Sequence, residues 1–262
     1  MICAGIDAGS RAIKVVLLES ESLRVLASGV ADQGVEQEAL ARALLDRLCR
    51  EESLAEGDIG RKLATGYARH LVSFADEAVT EITCHGCGVR RHLPGARTVI
   101  EIGGQDSKLL RLDAEGNIRD FAMNDRCAAG TGRFLEMAAK RLGVEISGLG
   151  ALAAQSRTPA PISSMCVVFA ETEIIGLMAS GASPADIVAG VQASIASRIA
   201  SMAGRNLAEP VVFTGGVALV PGMAEALQSA LGRKVIISPD PQMTGALGAA
   251  FLAARSARSE KP

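Results

Sequence analysis

The sequence contains one pattern twice, as GIDAGSRAIKVVLL at residues 5–18 and as VIEIGGQDSKLLRL at residues 99–112. Each copy predicts an apolar strand, an acid, a glycine turn and a second strand with an early lysine, Lys14 or Lys108. Because strands follow both turns, neither is the strand-to-helix turn of a Rossmann unit, and neither copy contains G-x-G-x-x-G. The duplication predicts two similar domains that face each other across a cleft.

The rest of the sequence predicts a mixed α/β protein built around these copies. Short buried strands are expected at residues 211–214 and 235–237, and a strand edge at residues 79–82. The spacing of apolar residues predicts helices at residues 35–49, 146–155, 184–206, 223–231 and 245–255. Three further helices are expected: a short one that ends near residue 92, one after Cys127 and one after Cys166.

Composition narrows the possible functions. The chain has 262 residues, of which 48% are hydrophobic, enough for a sizeable core. The net charge is −2 with both signs interspersed, whereas a nucleic-acid-binding surface would show a basic stripe with aromatic residues. No apolar run has membrane-spanning length, and the N-terminus is typical of a strand rather than a secretory signal. We therefore expect a cytoplasmic protein whose six cysteines are reduced thiols or metal ligands.

The two glycine turns are candidate phosphate-binding loops. Backbone N–H groups in a turn can bind phosphate oxygens, and glycine allows an approach that a Cβ would block. Asp7 and Glu101 precede the turns and could bind a magnesium ion on the phosphates, directly or through water. Thr214-Gly215-Gly216-Val217, after a buried strand, would let a base or ribose lie against the backbone. Two ordinary hairpins are the alternative, and the third motif favours a nucleotide.

Two cysteines, Cys127 and Cys166, follow short polar residues and directly precede helical patterns. At a helix N-terminus, unpaired N–H groups and the helix dipole favour the thiolate, which is the form that binds metal. Two such cysteines suggest two helices directed at one soft-metal centre. Because free cysteine is commonly buried, a pair of core residues is an equal alternative on spacing alone. The apolar face after Cys166 is expected to contain Val167, Phe169, Ala170, Ile174 and Leu177.

The chain resembles a known superfamily and, more closely, one family within it. GIDAGSRAIKVV, EIGGQDSK, VVFTGGVALVPG and TGALGAAFLA are similar to the phosphate-one, phosphate-two, adenosine and second connecting motifs of the actin–hexokinase–Hsp70 superfamily. ATGYAR, EITCHG, MNDRCAAGTGRFLEMAA and ISSMCVVFAETEII are more specific. They resemble the BadF/BadG/BcrA/BcrD ATPase family, of the 2-hydroxyglutaryl-CoA dehydratase activator type.

The resemblance covers nearly the whole chain and implies an α/β fold of the actin–hexokinase–Hsp70 (ribonuclease H-like) type. Two duplicated βββαβαβα lobes would surround a nucleotide cleft. Lobe I would comprise residues 1–95 and 246–262, with the first phosphate loop and the connecting helices. Lobe II would comprise residues 96–245, with the second phosphate loop, the two cysteines and the adenosine motif.

The resemblance also assigns site residues. Asp7, Gly9, Ser10 and Lys14 match the first phosphate loop, and Glu101, Gly103, Gly104, Gln105 and Asp106 match the second. Thr214, Gly215, Gly216 and Val217 would line the adenosine pocket, and Gly130, Thr131 and Gly132 would approach the phosphates. Glu81 falls where relatives hold an acid near the attacking water, so it would orient that water, with Asp7, Glu101 and Gln105 as its catalytic partners.

The family further implies a homodimer whose subunits share one 4Fe–4S cluster, held here by Cys127 and Cys166 of each subunit. With ATP, ADP and magnesium as nucleotide-site ligands, hydrolysis would drive one low-potential electron to a 2-hydroxyacyl-CoA dehydratase. Ferredoxin or flavodoxin would be the reductant. Two alternatives remain: an ATPase subunit of a benzoyl-CoA reductase, with the cluster between unlike subunits, and a small-molecule kinase that is indifferent to air.

Several residues depart from the family pattern or lie outside it. Relatives usually carry Asp in place of Glu101, but the longer Glu101 could still reach a magnesium ion through water. They usually carry Thr in place of Arg11, where a cation replaces a hydroxyl, so ATP affinity or turnover is expected to differ. Cys84 and Cys87 form one C-x-x-C, which is a weak zinc signal without a second pair. With the other two cysteines they could supply four thiolates from one chain. Their position on the connecting helix favours the shared cluster. Cys3 and Cys49 are expected in the core, and the three histidines are unassigned.

Overall fold

The computed structural model describes residues 1–163, 166–204 and 206–259. The chain divides into two compact units, which comprise Met1–Pro94 with Met243–Pro262, and Gly95–Gln242. The described residues form one five-stranded sheet in each unit. No helix in this part of the chain combines the length and the apolar character that crossing a membrane requires.

The first unit is a mixed sheet with three α-helices in its described residues. Its strands are β1 (Ile2–Ala8), β2 (Ala12–Glu19), β3 (Val25–Asp32), β4 (Ile59–Thr65) and β5 (Glu77–Ala78), in the order β3-β2-β1-β4-β5. β1, β2 and β3 are antiparallel, whereas β4 and β5 add in parallel. The helices are α1 (Gln37–Glu51), α2 (Glu81–His92) and the C-terminal α8 (Thr244–Ser259).

The second unit has a sheet of the same kind and more helices. Its strands are β6 (Thr98–Ile102), β7 (Ser107–Leu112), β8 (Ile118–Asn124), β9 (Val211–Thr214) and β10 (Val235–Ile237), in the order β10-β9-β6-β7-β8. Its helices are α3 (Gly132–Leu142), α4 (Leu149–Ala153), α5 (Val167–Ala179), α6 (Pro184–Ala203) and α7 (Met223–Leu231).

The repeated pattern in the sequence corresponds to a repeated sheet. β6 to β10 reproduce the order and directions of β1 to β5, with three antiparallel strands followed by two parallel ones. The register is reproduced as well. Asp7 on β1 lies opposite Lys14 on β2, and Glu101 on β6 lies opposite Lys108 on β7. The acid and the lysine of each copy are therefore cross-strand neighbours, seven residues apart in the chain.

The first sheet has an apolar core on each face. Along β2, Val15 and Leu17 pack in the cluster that contains the buried face of α1, whereas Val16 and Leu18 pack with the alanines of α8. This alternation follows from the two-residue period of a strand. Cys3 and Cys49 are buried in these two clusters, which confirms the expectation that they belong to the core.

The start of α2 differs from the prediction. Residues 79–82 were expected to form a strand edge, since their β-branched composition favours strands. Instead, the side chain of Thr80 accepts a hydrogen bond from the Thr83 N–H and caps the helix, so that α2 begins at Glu81. Local capping chemistry outweighs the strand propensity here.

Other boundaries also differ. α6 ends at Ala203 rather than at residue 206, because its C-cap Gly204 has φ of 65°, which ends the helix. α8 continues to Ser259, beyond the predicted end at residue 255. In the first unit a 3₁₀ turn, Arg69–Leu71, stands between β4 and β5, where the expected βββαβαβα order has a helix.

Candidate functional site

The turn between β1 and β2 holds a lysine against a buried carboxylate. Asp7 is 4% exposed, and its Oδ2 accepts a hydrogen bond from Lys14 Nζ at 3.1 Å. The Gly9 N–H donates to the Ala12 carbonyl at 3.1 Å and closes the turn. A Cβ on Gly9 would lie 2.9 Å from both Lys14 Nζ and the Ala12 oxygen, so glycine leaves room for the lysine. Ser10 lies at the tip of this turn.

The turn between β6 and β7 repeats this arrangement with one more acid. Lys108 Nζ lies 3.0 Å from Glu101 Oε2 and 2.6 Å from Asp106 Oδ2. The Gly103 N–H donates to the Asp106 carbonyl at 2.9 Å, closing the turn as Gly9 closes the first. Asp106 is among the predicted site residues, whereas Lys108 is not. The register of the repeat, which puts a lysine opposite each acid, would have identified it.

The tips of both turns carry backbone N–H groups that donate to no acceptor in the described part of the chain. These groups belong to Ser10 in the first turn and to Gly104 and Gln105 in the second. The side chain of Gln105 is exposed. Successive unpaired N–H groups in a turn form an anion-binding concavity. Each turn therefore combines N–H donors, a lysine and an acid in the way that a magnesium phosphate requires.

Each acid also contacts a Thr-Gly pair at the end of a parallel strand: Thr65-Gly66 beside Asp7, and Thr214-Gly215 beside Glu101. Gly66 has φ of 96°, and a Cβ there would lie 2.6 Å from Asp7 Oδ1. Gly215 has φ of 90°, and a Cβ there would lie 2.6 Å from Glu101 Oε1. The first pair was not among the predicted site residues. The repeated Thr-Gly dipeptide was the signal for it.

The Thr214-Gly215-Gly216-Val217 segment has two anchored positions and one open position. The Thr214 hydroxyl donates to the Pro241 carbonyl at 2.7 Å, and the Gly215 N–H donates to the same oxygen at 2.9 Å. Val217 is 3% exposed. A Cβ on Gly216 would meet no atom of the described residues within 4 Å. A flat group could therefore approach the backbone at Gly216.

The Thr131-Gly132 segment lies against the turn between β6 and β7. The Thr131 hydroxyl is 3.0 Å from the Gly104 carbonyl, and the Gly132 N–H donates to the Gly103 carbonyl at 2.9 Å. A Cβ on Gly132 would lie 3.3 Å from Val217 Cγ2. Within the second unit, the structure thus brings together three predicted segments that are far apart in the sequence.

Cys127 is held by an asparagine rather than by an α-helix. Asn124 Nδ2 donates to the Cys127 carbonyl at 2.8 Å, and Asn124 Oδ1 accepts from the Cys127 N–H at 3.2 Å. A single 3₁₀ turn, Ala128–Gly130, follows, and α3 begins only after the extended Thr131. The expectation that an α-helix directly follows Cys127 is therefore wrong. A Cβ on Gly130 would lie 3.4 Å from Asn124 Nδ2 and 3.9 Å from the hydroxyl of Ser107, the first residue of β7.

Cys166 is the N-cap of α5, as the helical pattern after it predicted, and it is exposed. The two residues before it, 164 and 165, lie outside the described part of the chain. Phe169 was expected on the buried face of α5, but it is 70% exposed, and Ala170 and Ile174 form the fully buried positions. α5 is apolar nearly all round, so the periodicity could not show which face is outward.

Glu81 and His85 lie one turn apart on α2. Glu81, the first residue of the helix, is half-buried, and His85 is 5% exposed, with Nδ1 2.9 Å from Thr244 Oγ1. A Cβ on Gly245 would lie 2.9 Å from Asp7 Oδ2 and 3.2 Å from His85 Nε2. His85 therefore approaches the Asp7 carboxylate across a glycine. No role was predicted for this histidine, because no spacing pattern in the sequence marks it.

Cys84 and Cys87 lie in the first unit on α2. Burial raises the pKa of Cys84 to about 12, although a hydrogen bond with Thr65 opposes this. Burial also raises the pKa of Cys87, against the charges of Arg255 and Arg90. Both thiols therefore favour the protonated form. In the described residues, no group of three or more His, Cys, Asp or Glu side chains is arranged to hold a metal ion.

Comparisons with known proteins identify the family. The model of the BadF/BadG/BcrA/BcrD ATPase family matches residues 4–253. The chain is 44% identical over 261 residues to the activator of lactoyl-CoA dehydratase from Anaerotignum propionicum, covering 99% of this chain and 100% of the relative. It is 40% identical to the solved activator of the 2-hydroxyisocaproyl-CoA dehydratase from Clostridium difficile with bound ADPNP. That comparison has a TM-score of 0.93 and covers 100% of this chain and 98% of the other.

A distant comparison bears on the fold alone. A ROK family glucokinase from Streptomyces griseus, solved with glucose and AMPPNP, matches with a TM-score of 0.56 at 14% identity, covering 97% of this chain and 100% of the kinase. The two duplicated sheets and these neighbours confirm the expected fold of the actin–hexokinase–Hsp70 superfamily.

Proposed function

The chain belongs to the BadF/BadG/BcrA/BcrD ATPase family, and from this premise we propose that it is an ATP-dependent one-electron donor that activates a 2-hydroxyacyl-CoA dehydratase. The observation that carries the proposal is the exposed Cys166 thiol at the N-cap of α5, followed by an apolar surface. This combination fits a metal centre completed by a second copy of the chain. ATP would supply the driving force, and a cluster held by the thiols would supply the one-electron redox function.

In this proposal the two glycine turns bind the ATP phosphates. Ser10 and Gly9 of the first turn, with Lys14, contact one part of the triphosphate. Gly103, Gly104, Gln105 and Asp106 of the second turn contact another. The unpaired N–H groups at both tips support this role. Thr131 and Gly132, docked on the second turn, hold its carbonyl groups away from the phosphates.

The adenosine would lie against the open backbone at Gly216. Gly215 and Thr214 anchor this segment to Pro241, and the buried Val217 side chain fixes its far end. A rigid backbone without a side chain at the point of contact suits a flat base or a ribose. Gly130 faces Asn124, so its proposed role is to position the segment that carries Thr131 rather than to touch the nucleotide.

Asp7 and Glu101 would bind magnesium through water molecules. Each carboxylate already accepts a hydrogen bond from a lysine, Lys14 or Lys108. The positive charge of the lysine partly offsets the negative charge of the carboxylate. Magnesium keeps several waters in nucleotide sites, so water-mediated contact suits these paired carboxylates. The longer Glu101, in place of the family's usual Asp, remains compatible with this arrangement. Glu81 would orient the attacking water, with His85 packed on its helix one turn later.

Cys127 and Cys166 fit two of the four thiolate ligands of a 4Fe–4S cluster, and a second subunit would supply the other two. When bound, such a cluster supplies a one-electron carrier. Asn124 fixes the backbone of Cys127, and Cys166 is exposed at the N-terminus of α5. Cys84 is fully buried on α2, which argues against a cluster built from one chain alone.

An apolar stripe on α5 supports the homodimer. Val168, Ile175 and Met178 are 67%, 48% and 42% exposed, and they recur at helical spacing from just after Cys166. Exposed apolar surface that follows Cys166 favours contact with a second copy of the same surface. The dehydratase component would receive the electron, and ferredoxin or flavodoxin would deliver it, in the cytoplasm.

The decisive experiment is anaerobic purification followed by iron and mass determination. We expect a dimer with about two iron atoms per polypeptide. Cys127→Ser and Cys166→Ser should lose iron, whereas the matched control Cys87→Ser should keep it. ATP should then support reduction of an added dehydratase only in the iron-containing proteins.

Other outcomes would favour the alternatives. About four iron atoms per polypeptide, lost in Cys87→Ser, would indicate a cluster within one chain. A cluster that forms only with an unlike subunit would indicate the benzoyl-CoA reductase alternative. Iron-free protein that hydrolyses ATP normally without oxygen exposure would indicate a small-molecule kinase, for which the glucokinase comparison supports the fold alone.

A further inference from the structure

A pocket lies in the first unit, next to α2 and α8. It has a volume of about 200 Å³ and is lined by Leu23, Cys87, Arg91, Phe251, Arg255 and Arg258. None of these residues belongs to the glycine turns, the adenosine motif or the cysteine pair proposed to bind iron. The pocket therefore needs an explanation of its own.

The charged residues around the pocket are all arginines. Arg91 and Arg255 form no ion pair with any described residue. Arg258 Nη2 donates to the backbone carbonyls of Ser20 and Glu21, at 2.7 Å for Glu21, and these acceptors leave its charge uncompensated. Three like charges around one pocket repel each other, and a bound anion would offset that repulsion. Guanidinium groups are well suited to bind phosphate or carboxylate.

The walls of the pocket are apolar. Phe251 is 6% exposed, and the Arg91 guanidinium lies 5.4 Å from its ring centroid. Leu23 and the Cys87 thiol complete the apolar surface. A drug-sized ligand needs a pocket of about 300–1,000 Å³, so the occupant of this pocket is smaller. Apolar walls next to the guanidinium groups of the arginines suit a ligand that has an apolar body and one anionic group.

We propose that this pocket binds a small organic anion, with an aromatic or short aliphatic body against Phe251 and a phosphate or carboxylate between the guanidinium groups. Arg91 and Arg258 lie in the last turns of α2 and α8, where they also interact favourably with the helix dipoles, whereas Arg255 does not lie in a last turn. Arg50, in the last turn of α1, has the same relation to a helix dipole but does not line this pocket. Arg50 therefore provides a matched control.

The test uses phenyl phosphate as the probe and alkylation of Cys87 as the readout. The full-length protein is treated with N-ethylmaleimide at increasing phenyl phosphate, and the modification of Cys87 is followed by mass spectrometry. Cys84, which is 0% exposed on the same helix, reports any unfolding. We expect phenyl phosphate to slow alkylation of Cys87 while Cys84 stays unmodified. The affinity for phenyl phosphate measured by isothermal titration calorimetry should agree with the concentration at which it protects Cys87.

Variants and analogues make the test specific. Arg91→Gln and Arg255→Gln alter exposed side chains, so the fold should persist, and each should weaken binding about fivefold. Arg50→Gln should bind like the wild type. Three results would each overturn the proposal: no protection of Cys87, equal protection by phenol or by inorganic phosphate, or equal weakening in Arg50→Gln and Arg255→Gln.

Discussion

Lys108 Nζ lies 3.0 Å from Glu101 Oε2, and the side chains of the two residues are only 1% and 5% exposed. The equivalent pair in the first unit, Lys14 and Asp7, is separated by 3.1 Å, but the lysine side chain there is 15% exposed. Both pairs join neighbouring strands at the mouth of a glycine turn. The duplication has thus kept one charge pair in two sheets, with the deeper burial in the second.

Replacing Lys108 should destabilise the protein more than replacing its counterpart. Lys108→Met leaves Glu101 and Asp106 without their cation in a buried site, so the free energy of unfolding should fall by about 3 kcal/mol. Urea unfolding at neutral pH measures this loss. Lys14→Met, at the less buried pair, is the control and should lose less. Adding Glu101→Gln to Lys108→Met should restore part of the stability, and an unchanged double variant would contradict the assignment.

Two adjacent glycines should respond differently to alanine. Gly215→Ala introduces a side chain at φ of 90°, with its Cβ 2.3 Å from the Ile102 carbonyl, and should lower the free energy of unfolding by about 2 kcal/mol. Gly216→Ala adds a methyl group in open space and should leave the melting temperature nearly unchanged. It should nevertheless weaken ATP binding by calorimetry. Normal ATP affinity in Gly216→Ala would exclude contact between the nucleotide and this backbone.

His85 should act as a positioning residue for Asp7. His85→Ala removes the contact with Thr244 and the ring beside Gly245. The kcat of ATP hydrolysis should therefore fall roughly tenfold, and the variant should need a higher magnesium concentration for half-maximal activity. His85→Asn can keep a hydrogen bond to Thr244 and should recover part of the activity. His70→Ala, on an exposed residue, is the control. A purely structural role would lower the melting temperature without changing the magnesium dependence.

The cap of α6 should make stability depend on pH. Hydrogen bonds from Ser156 and Ser183 and from two backbone N–H groups hold the pKa of Asp186 well below its ordinary value. A depressed carboxyl pKa contributes stability above the unfolded value of about 4, which is lost as the pH falls through the folded value. Asp186→Asn should therefore have a lower free energy of unfolding than the wild type at neutral pH. This difference in free energy should become smaller as the pH falls.

Urea unfolding across this pH range measures the effect of Asp186→Asn. Asp46→Asn, on α1, is the control and should follow the wild-type curve. A difference between Asp186→Asn and the wild type that stays constant from neutral pH to about pH 3 would show that the charge of Asp186 is not responsible.

Much of the framework follows from local sequence. β9, α7 and β10 have the predicted bounds, because short apolar segments there are delimited by glycine, proline and charged residues. The repeat predicted two similar hairpins, and the two sheets share their order and register. Applied more strictly, it would also have identified Lys108 and Thr65, which occupy the positions of Lys14 and Thr214 in the other copy.

The remaining features depend on long-range contacts. Thr131 is extended because it docks on the Gly104 carbonyl, 27 residues earlier in the chain, and no pattern near Cys127 reveals this partner. The exposure of Phe169 was unpredictable for a different reason, since a helix that is apolar nearly all round does not reveal its outward face. His85 reaches Asp7 only through packing of α2 on α8, which join distant parts of the sequence.

The C-terminal helix also affects the order of events on the ribosome. A Cβ on Gly5 of β1 would lie 2.0 Å from the Ala246 carbonyl, and β1, β2 and α2 share a cluster with the alanines of α8. The second unit is continuous in the chain, whereas the first unit includes α8 and cannot be completed until this C-terminal helix has been synthesised. One apolar face of the N-terminal sheet therefore stays uncovered in the nascent chain while the second unit is synthesised and folds. Premature termination before α8 would release a polypeptide that exposes this face and is prone to aggregate.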